Sequence, residues 1–197
     1  METETPEINS KKLRQAVNYG FDRQKMVTYL RNGMGTPATH GFIPKGLPGF
    51  ASIEGYDYNP EKARELIEQY KTNTGDTEAE ITIGTNSQYL DICEYIQREL
   101  EKIGIAVEID VMPPSTLRQM KSSGELDIFR ASWIADYPDA ENYLSLFYSE
   151  NFTPHGPNYT HFKNVAFDSL YEKSLTISDI EKRKQLYIKM DSIVVAE

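Results

Sequence analysis

The sequence predicts an α/β fold in which helices flank a central sheet. Its main signal lies between residues 80 and 112, where "ITIGT", an amphipathic helix pattern over 87–103 and the alternating "IAVEIDVM" follow one another. A strand, a helix and a strand of this length match a parallel crossover unit. A third strand is expected in "LDIFRASW". We therefore predict a three-layer α/β fold with strands near 80–85, 105–112 and 126–133.

Two short helices are predicted ahead of a long loop. The first has one apolar face, formed by Leu13, Ala16 and Val17. The second is capped by Asp22 and ends before Gly33, with buried positions at Met26, Val27 and Leu30. The segment 33–55 is rich in glycine and proline and also contains Phe42, Ile43, Leu47 and Phe50. It is predicted to be a loop that apolar side chains hold in place.

Further helices are predicted around the strands. Asn59 caps a helix that starts at Pro60 and has an apolar stripe of Ala63, Leu66, Ile67 and Tyr70. The segments "STLRQMKSSG" and "ENYLSLFY" indicate one helix each, before and after the third strand. Two final helices are expected in "AFDSLYEKSL" and "SDIEKRKQLYIKM", the latter with a capping box of Ser178 and Glu181.

The loop at 151–164, which precedes the final helices, has two open interpretations. It contains Asn158, Tyr159 and His161 among glycine and proline residues. These side chains either stabilise the loop itself or close over a ligand.

The composition excludes several classes of function. The chain of 197 residues has 30 acidic and 21 basic residues, and its net charge of −9 opposes attraction to nucleic acid or to an anionic membrane. No apolar stretch is long enough to span a bilayer, and "METETPEINS" lacks the features of a signal peptide. The last helix pattern stops without a cap. We therefore expect both termini to be cuts in a longer protein, with residues 1–9 a tail or an expression remnant.

Metal and cofactor sites have no support in the sequence. The three histidines, His40, His155 and His161, lack metal-ligand spacing, and "GMG" at 33–35 lacks the strand and the third glycine of a dinucleotide fingerprint. The single cysteine, Cys93, lies in an apolar helix series and is expected to be a small core residue. We expect neither a metal ion nor a cofactor.

The segment "RASWIADYPDA", residues 130–140, contains the residues best suited to binding. Asp136 can hold an ammonium group, Trp133 can form an apolar or cation-facing wall, and Arg130 can attract a carboxylate, which together would suit a zwitterion. The third strand would deliver this segment to the carboxyl edge of the sheet, where α/β proteins bind ligands. An alternative interpretation makes Trp133 a core residue, Arg130 a solvated strand residue and Asp136 a helix cap.

The same segment allows an enzymatic interpretation. Asp136 and Asp139, with Glu141, provide the two carboxyl groups that glycoside hydrolysis requires. Two aspartates around Pro138 are also typical of a turn, because aspartate favours turns and proline sets φ. We favour binding over catalysis and assign no catalytic residue.

Five segments in a fixed order carry a resemblance to a known family. They are "LRQAVNYGFDRQKMVTYLRNGMGTPATHGFIPKGLPGF", "YDYNPEKARELIEQY", "IQRELEKIGIAVEI", "DIFRASWIADYPDAENYLSLFYS" and "FDSLYEKSLTISDIEKRKQLYIKM". From about residue 10 to the end, the chain resembles the C-terminal lobe of the extracellular solute-binding proteins of family 5, the peptide- and nickel-binding components of ABC importers. The resemblance implies a lobe of the type II periplasmic-binding-protein fold, with a central mixed sheet flanked by helices.

The resemblance also implies ligand-binding residues. In the oligopeptide-binding members, the aspartate of a "W-x-A-D" segment takes the α-amino group of the ligand. Here that segment is Trp133, Ile134, Ala135 and Asp136. Arg130, three residues before the tryptophan, resembles the arginine that meets the C-terminal carboxylate of some peptides. Tyr137, the next residue after Asp136, completes the expected ligand-binding set.

A function and a location follow from the resemblance as expectations. Complete members have two lobes that close over a ligand, so residues 10–197 would be one lobe, with the first lobe and the return segment absent. Such a protein is not an enzyme; it captures peptides as a periplasmic protein or a membrane-anchored lipoprotein and delivers them to a membrane permease. A nickel chelate or an oligosaccharide remains an alternative ligand. The aromatics that keep a sugar possible are Trp133, Tyr137, Tyr143 and Tyr148.

Overall fold

The structure, a computed structural model, describes residues 10–197. The expectation that residues 1–9 are a tail or a remnant lies outside the described residues. The described chain forms two compact units. The first consists of residues 10–37, Tyr56–Lys121 and Glu125–Ala131, and the second of Ala38–Gly55, Ser122–Gly124 and Ser132–Glu197. No helix within 10–197 is long and apolar enough to cross a membrane.

The sheet belongs to the first unit. The helices that begin in this unit are α1 (Lys11–Gly20), α2 (Arg23–Leu30), α3 (Pro60–Thr74), α4 (Leu90–Glu101) and α5 (Pro114–Ser123). The strands are β1 (Ala79–Thr85), β2 (Ile105–Val111) and β3 (Ile128–Phe129), and a 3-10 turn at Ser87–Tyr89 leads into α4. Their order in the sheet is β2-β1-β3, with Ala79 opposite Ile105 and Ile83 opposite Ile128.

The α/β class is confirmed, with two corrections to the sheet. Every strand pair within the described chain is parallel, whereas the resemblance implied a mixed sheet, because the crossovers through α4 and α5 return the chain to the same edge. The third strand is limited to Ile128–Phe129 and does not extend over 126–133. Its partner β1 ends at Thr85, and the pairing ends with the Arg130 N–H donating to the Gly84 carbonyl at 2.9 Å.

The core of the first unit forms between one face of the sheet and helices α1, α3 and α4. Strand alternation puts Ala79, Ile81 and Ile83 on this face, and they are buried. The helical residues buried with them are Leu13, Ala16, Ala63, Leu66, Ile67, Tyr70, Cys93 and Leu100. The prediction of Cys93 as a core residue is confirmed, and burial is the main cause that raises the pKa of its thiol.

The predicted caps at the start of α2 and α3 are present. The Asp22 carboxylate accepts from the Lys25 N–H at 2.9 Å, and the Asn59 amide oxygen accepts from the Lys62 N–H at 3.0 Å. The predicted buried face of α2 is wrong. None of its residues is fully buried, and Met26, Val27 and Leu30 are only half-buried, because α2 packs mainly along one side of α4.

The second unit is helical. Its helices are α6 (Glu141–Leu144), α7 (Val165–Thr176) and α8 (Ile180–Ala196), and 3-10 turns follow α6 at Ser145–Phe147 and Ser149–Asn151. The single helix predicted over "ENYLSLFY" is therefore wrong. The chain becomes extended at Tyr148, and the Ser145 hydroxyl donates to the Asn142 carbonyl at 3.0 Å, a local bond that competes with helix continuation.

The start of α8 differs from the predicted capping box. Asp179, and not Ser178, is the cap: its carboxylate accepts from the N–H groups of Glu181 and Lys182, both at 3.1 Å. A carboxylate at this position also carries a charge that the helix dipole favours. The cap is therefore one residue later than the sequence pattern indicated.

The core of the second unit gathers the three helices and the loop 38–55. Its buried members are Ile43, Ala140, Leu144, Phe167, Tyr171, Leu186, Tyr187 and Met190. Leu47 and Phe50 pack against this cluster from the loop. The prediction that apolar residues hold the loop in place is confirmed for residues 38–55.

A buried carboxylate adds a polar contact between this loop and α8. Asp191 is 1% exposed and accepts from the Phe42 N–H at 2.7 Å and the Ile43 N–H at 3.3 Å. Burial raises the pKa of Asp191, and the two N–H groups offset part of this rise. A folded-state pKa above the unfolded value means that stability from this group is complete at low pH and is lost as pH rises through the folded pKa.

We expect this effect to appear in urea denaturation of the chain and of Asp191→Asn from about pH 4 to about pH 8. The free energy of unfolding of the unmodified chain, minus that of Asp191→Asn, should decrease as pH rises. The other carboxylates cancel in this difference. A difference that increases with pH would mean that the two N–H groups outweigh burial, contrary to the prediction.

Candidate functional site

The residues expected to bind ligand fall in both units. Arg130 belongs to the first unit, and residues 133–137 belong to the second. Within the first unit, the fold brings Arg130 onto Tyr89. Within the second, it brings Trp133 to Asn142 and Tyr137 to Glu141.

Arg130 and Tyr89 form a cation–π pair beyond the carboxyl ends of two adjacent parallel strands. Tyr89 follows β1, Arg130 follows β3, and the Arg130 Cζ lies 3.1 Å from the centroid of the Tyr89 ring. Arg130 is half-buried, so the interpretation of a merely solvated strand residue is wrong. The carboxyl edge of a parallel sheet is where α/β proteins bind ligands.

Another cation, Lys121, lies near Arg130. The Lys121 Nζ lies 5.5 Å from the centroid of the Phe129 ring. Burial lowers the pKa of Lys121, and the nearby charges of Arg130 and Arg118 lower it further. Arg130 and Lys121 therefore place two cationic side chains near β3, and a cationic side chain is suited to a carboxylate.

Trp133 is fixed by a buried amide. Its indole Nε1 donates to the Asn142 Oδ1 at 2.7 Å, and Asn142, in α6, is 5% exposed. Trp133 itself is half-buried and does not belong to the buried core cluster of its unit, so the interpretation as a core residue is wrong. Its hydrogen bond orients the ring and leaves part of it exposed.

Within the described part of the chain, Asp136 has no hydrogen-bond or ion-pair partner. Its residue is exposed, and within residues 10–197 its carboxylate makes no hydrogen bond or ion pair. The alternative that Asp136 caps the next helix is wrong, because α6 begins after Ala140 without a side-chain cap. The neighbouring Ile134 is 87% exposed, and Ala135 is half-buried.

Asp139 and Glu141, by contrast, are fully engaged. Asp139 accepts from the Arg183 Nη2 at 2.6 Å and from the Glu141 N–H at 3.0 Å. Glu141 accepts from the hydroxyls of Tyr137 and Tyr171. The bond to Glu141, followed by burial, raises the pKa of Tyr137, whereas burial is the larger cause that raises the pKa of Tyr171. These carboxylates hold the loop in place, which argues against a hydrolytic pair of Asp136 and Asp139.

In the loop at 151–164, the side chains of Asn158 and His161 contact other residues of the same segment and its flanks, and so stabilise the loop. Asn158 is 0% exposed, and its amide bonds to the carbonyls of Tyr148 and Phe162 and to the Phe162 N–H. His161 stacks on Phe152 with a centroid distance of 4.9 Å. Its ring nitrogen Nε2 lies 3.1 Å from the Thr153 hydroxyl.

Sequence reasoning missed the residues that hold the site residues in place. The sequence does not indicate the roles of Tyr89, Asn142, Tyr171 and Arg183, because each contact depends on packing between elements. For Asn142 and Glu141 a signal was present: polar residues at the start of a helix, immediately after a candidate binding segment. Within the described range, no group of three or more histidine, cysteine, aspartate or glutamate side chains has the arrangement to hold a metal ion.

The chain is similar to proteins that bind solutes. The family model described as bacterial extracellular solute-binding proteins, family 5, middle region, matches residues 1–154. The glutathione-binding protein GsiB of Salmonella choleraesuis is 28% identical over 196 residues, which are 96% of this chain and 38% of GsiB. The oligopeptide-binding protein OppA of Bacillus subtilis is 28% identical over 205 residues, covering 99% of this chain and 37% of OppA.

The fold of the chain is also similar to a solved structure. The periplasmic binding protein DppA from Helicobacter pylori, in complex with the peptide STSA, superposes with a TM-score of 0.88 at 26% identity. The alignment covers 100% of this chain and 38% of DppA. The chain thus spans less than two fifths of the length of these relatives. By its match over residues 1–154, the chain belongs to the bacterial extracellular solute-binding proteins of family 5.

Proposed function

We propose that this chain is the C-terminal lobe of a two-lobed ABC-importer solute-binding protein, and that it captures peptides by their α-amino group. The observation that carries the proposal is Asp136: an exposed carboxylate without a protein partner in 10–197, in a loop held on both sides. A ligand ammonium supplies the missing partner through a charge-assisted hydrogen bond. The names of OppA and of the DppA complex support a peptide ligand.

The other residues expected to bind ligand have complementary roles in this proposal. Trp133 provides a fixed aromatic wall beside the amine, and Ile134, Ala135 and Tyr137 contact the first residue of the peptide. Arg130 takes the carboxylate of some ligands, and the nearby cation Lys121 supports this role. The peptide backbone would bind as an added strand, and roomy pockets would tolerate different side chains.

The proposed cycle is a hinge closure without chemistry on the ligand. The ligand bridges this lobe and a first lobe, and a membrane permease recognises the closed form. The protein works outside the cytoplasm, as a periplasmic protein or a lipoprotein. No catalytic residue is assigned, because Asp139 is occupied by Arg183 and by the Glu141 N–H.

Calorimetric titration of the full-length two-lobed protein tests the proposal. One titrant is a mixed pool of di- to pentapeptides, and the other is the same pool after N-acetylation. Binding of the free-amine pool that disappears on acetylation is the expected result, because acetylation removes the charge that Asp136 would hold. Equal binding of both pools, or no binding of either, would contradict peptide capture through Asp136.

A different class of ligand is the main alternative. Tyr137 is 48% exposed beside the half-buried Trp133, and two such rings also suit an oligosaccharide. Failure of both peptide pools would therefore lead to a panel of oligosaccharides and nickel chelates. Turnover of a glycoside that is lost in Asp139→Asn would support an enzyme and overturn the proposed function.

A further inference from the structure

We infer that Asn142 and Glu141 are positioning residues that fix the two flanks of Asp136 for ligand binding. The inference rests on the proposed function and deepens it. The Asp136 carboxylate makes no hydrogen bond or ion pair within the described residues, yet both sides of it are restrained. Trp133, before it, bonds to Asn142 at 2.7 Å, and Tyr137, directly after it, bonds to Glu141.

The two anchors are themselves well fixed. Asn142 is buried, and its N–H donates to the Asp139 carbonyl at 3.2 Å. Glu141 accepts a second hydroxyl from Tyr171 of α7. Asp139, which accepts from the Glu141 N–H, is held by Arg183 of α8 at 2.6 Å. The start of α6 is therefore bonded to both α7 and α8.

This arrangement restrains the backbone on either side of the carboxylate while leaving the carboxylate open. A loop of this length without such bonds would lose conformational freedom when a ligand binds, and the affinity would fall accordingly. Restraint before binding removes part of that loss, which is the general benefit of preorganised sites. The exposed Ile134 and Asp136 need this restraint most, since packing does not hold them.

The Tyr137 hydroxyl provides the sharpest test. Tyr137 is about half exposed, so Tyr137→Phe removes the bond to Glu141 while keeping the ring and disturbing the fold little. Tyr148→Phe is the matched control, because it removes a tyrosine hydroxyl bonded to another carboxylate, Glu172, at 2.9 Å. Affinity for the free-amine peptide pool should fall about 3- to 10-fold in Tyr137→Phe and stay unchanged in Tyr148→Phe.

A second comparison separates positioning from general stabilisation. In an Asp136→Asn background, the added effect of Tyr137→Phe should shrink to less than about 2-fold, because the group being positioned has lost its charge. Glu141→Gln, which keeps the shape and an acceptor oxygen, should lose less affinity than Glu141→Ala. Melting temperatures of all variants show whether a loss of affinity merely follows a loss of folding.

Each outcome decides the inference. Unchanged affinity in Tyr137→Phe, while Asp136→Asn weakens binding, would overturn the positioning role and leave the proposed function intact. An equal loss in both backgrounds would mean that the hydroxyl acts independently of Asp136, which also overturns it. If Asp136→Asn itself binds like the unmodified protein, the proposed function fails, and the inference fails with it.

Discussion

Replacing Asp136 with alanine in the full-length protein should weaken the binding of free-amine peptides by about 30-fold to a few thousand-fold. This range corresponds to roughly 2–5 kcal/mol, the usual cost of removing one partner from a desolvated charge pair. The reason is that the ligand ammonium, once enclosed, would lose the only carboxylate that we assign to it. Calorimetric titration with the unmodified peptide pool measures the effect.

The structure also sets the controls for this experiment. Asp136 is exposed and without a partner in 10–197, so the melting temperature of Asp136→Ala should equal that of the unmodified protein. Asp127→Ala removes an aspartate of the first unit that is also exposed and should leave affinity unchanged. A comparable loss in both variants would indicate a general charge effect. Unchanged affinity in Asp136→Ala would refute the assigned role of this residue.

Replacing Asn158 with alanine should lower the free energy of unfolding by about 3 kcal/mol, because four hydrogen bonds of one fully buried side chain are lost together. The amide nitrogen donates to the carbonyls of Tyr148 and Phe162 at 3.1 Å and 3.0 Å. The amide oxygen accepts from the Phe162 N–H at 3.1 Å and from the Thr160 hydroxyl at 3.2 Å. Because the Asn158 side chain is fully buried, water cannot replace the lost bonds without a cost in free energy.

Urea denaturation of the chain measures this loss against a matched variant. Asn164 caps α7 by accepting from the Phe167 N–H at 3.0 Å, and Asn164→Ala should cost about 1 kcal/mol, as is usual for an N-cap. The larger effect is expected at Asn158 because its amide joins three parts of the loop. If Asn164→Ala proves the more costly change, the structural role assigned to Asn158 is wrong.

The candidate site could be predicted only in part. Residue type and resemblance to the W-x-A-D segment were sufficient to select Asp136 and Trp133 as candidate ligand-binding residues. The sequence could not predict which carboxylates are bonded to other side chains. Asp139 and Asp136 look alike in sequence, but only Asp139 meets Arg183, which lies 44 residues later in the chain.

The N-caps of the helices show which features a local sequence pattern can predict. The caps at Asp22 and Asn59 were predicted correctly because a cap bonds within three residues of itself. At α8 the same reasoning selected Ser178, although the adjacent Asp179 offers a charged acceptor for two N–H groups. Where two neighbouring residues can both cap, the residue pattern alone does not choose between them.

By itself, the sequence determined the α/β class, the crossover from β1 through α4 to β2, and the segment that carries the proposed binding residues. These depend on period, turn residues and caps, which act over a few positions. Tertiary structure alone decided that β3 stops at Phe129, that α6 is a single turn, and that Asp136 is open while Asp139 and Glu141 are occupied. The physical reason is that a hydrogen bond or a buried face needs a partner, and these partners lie on elements far away in the chain.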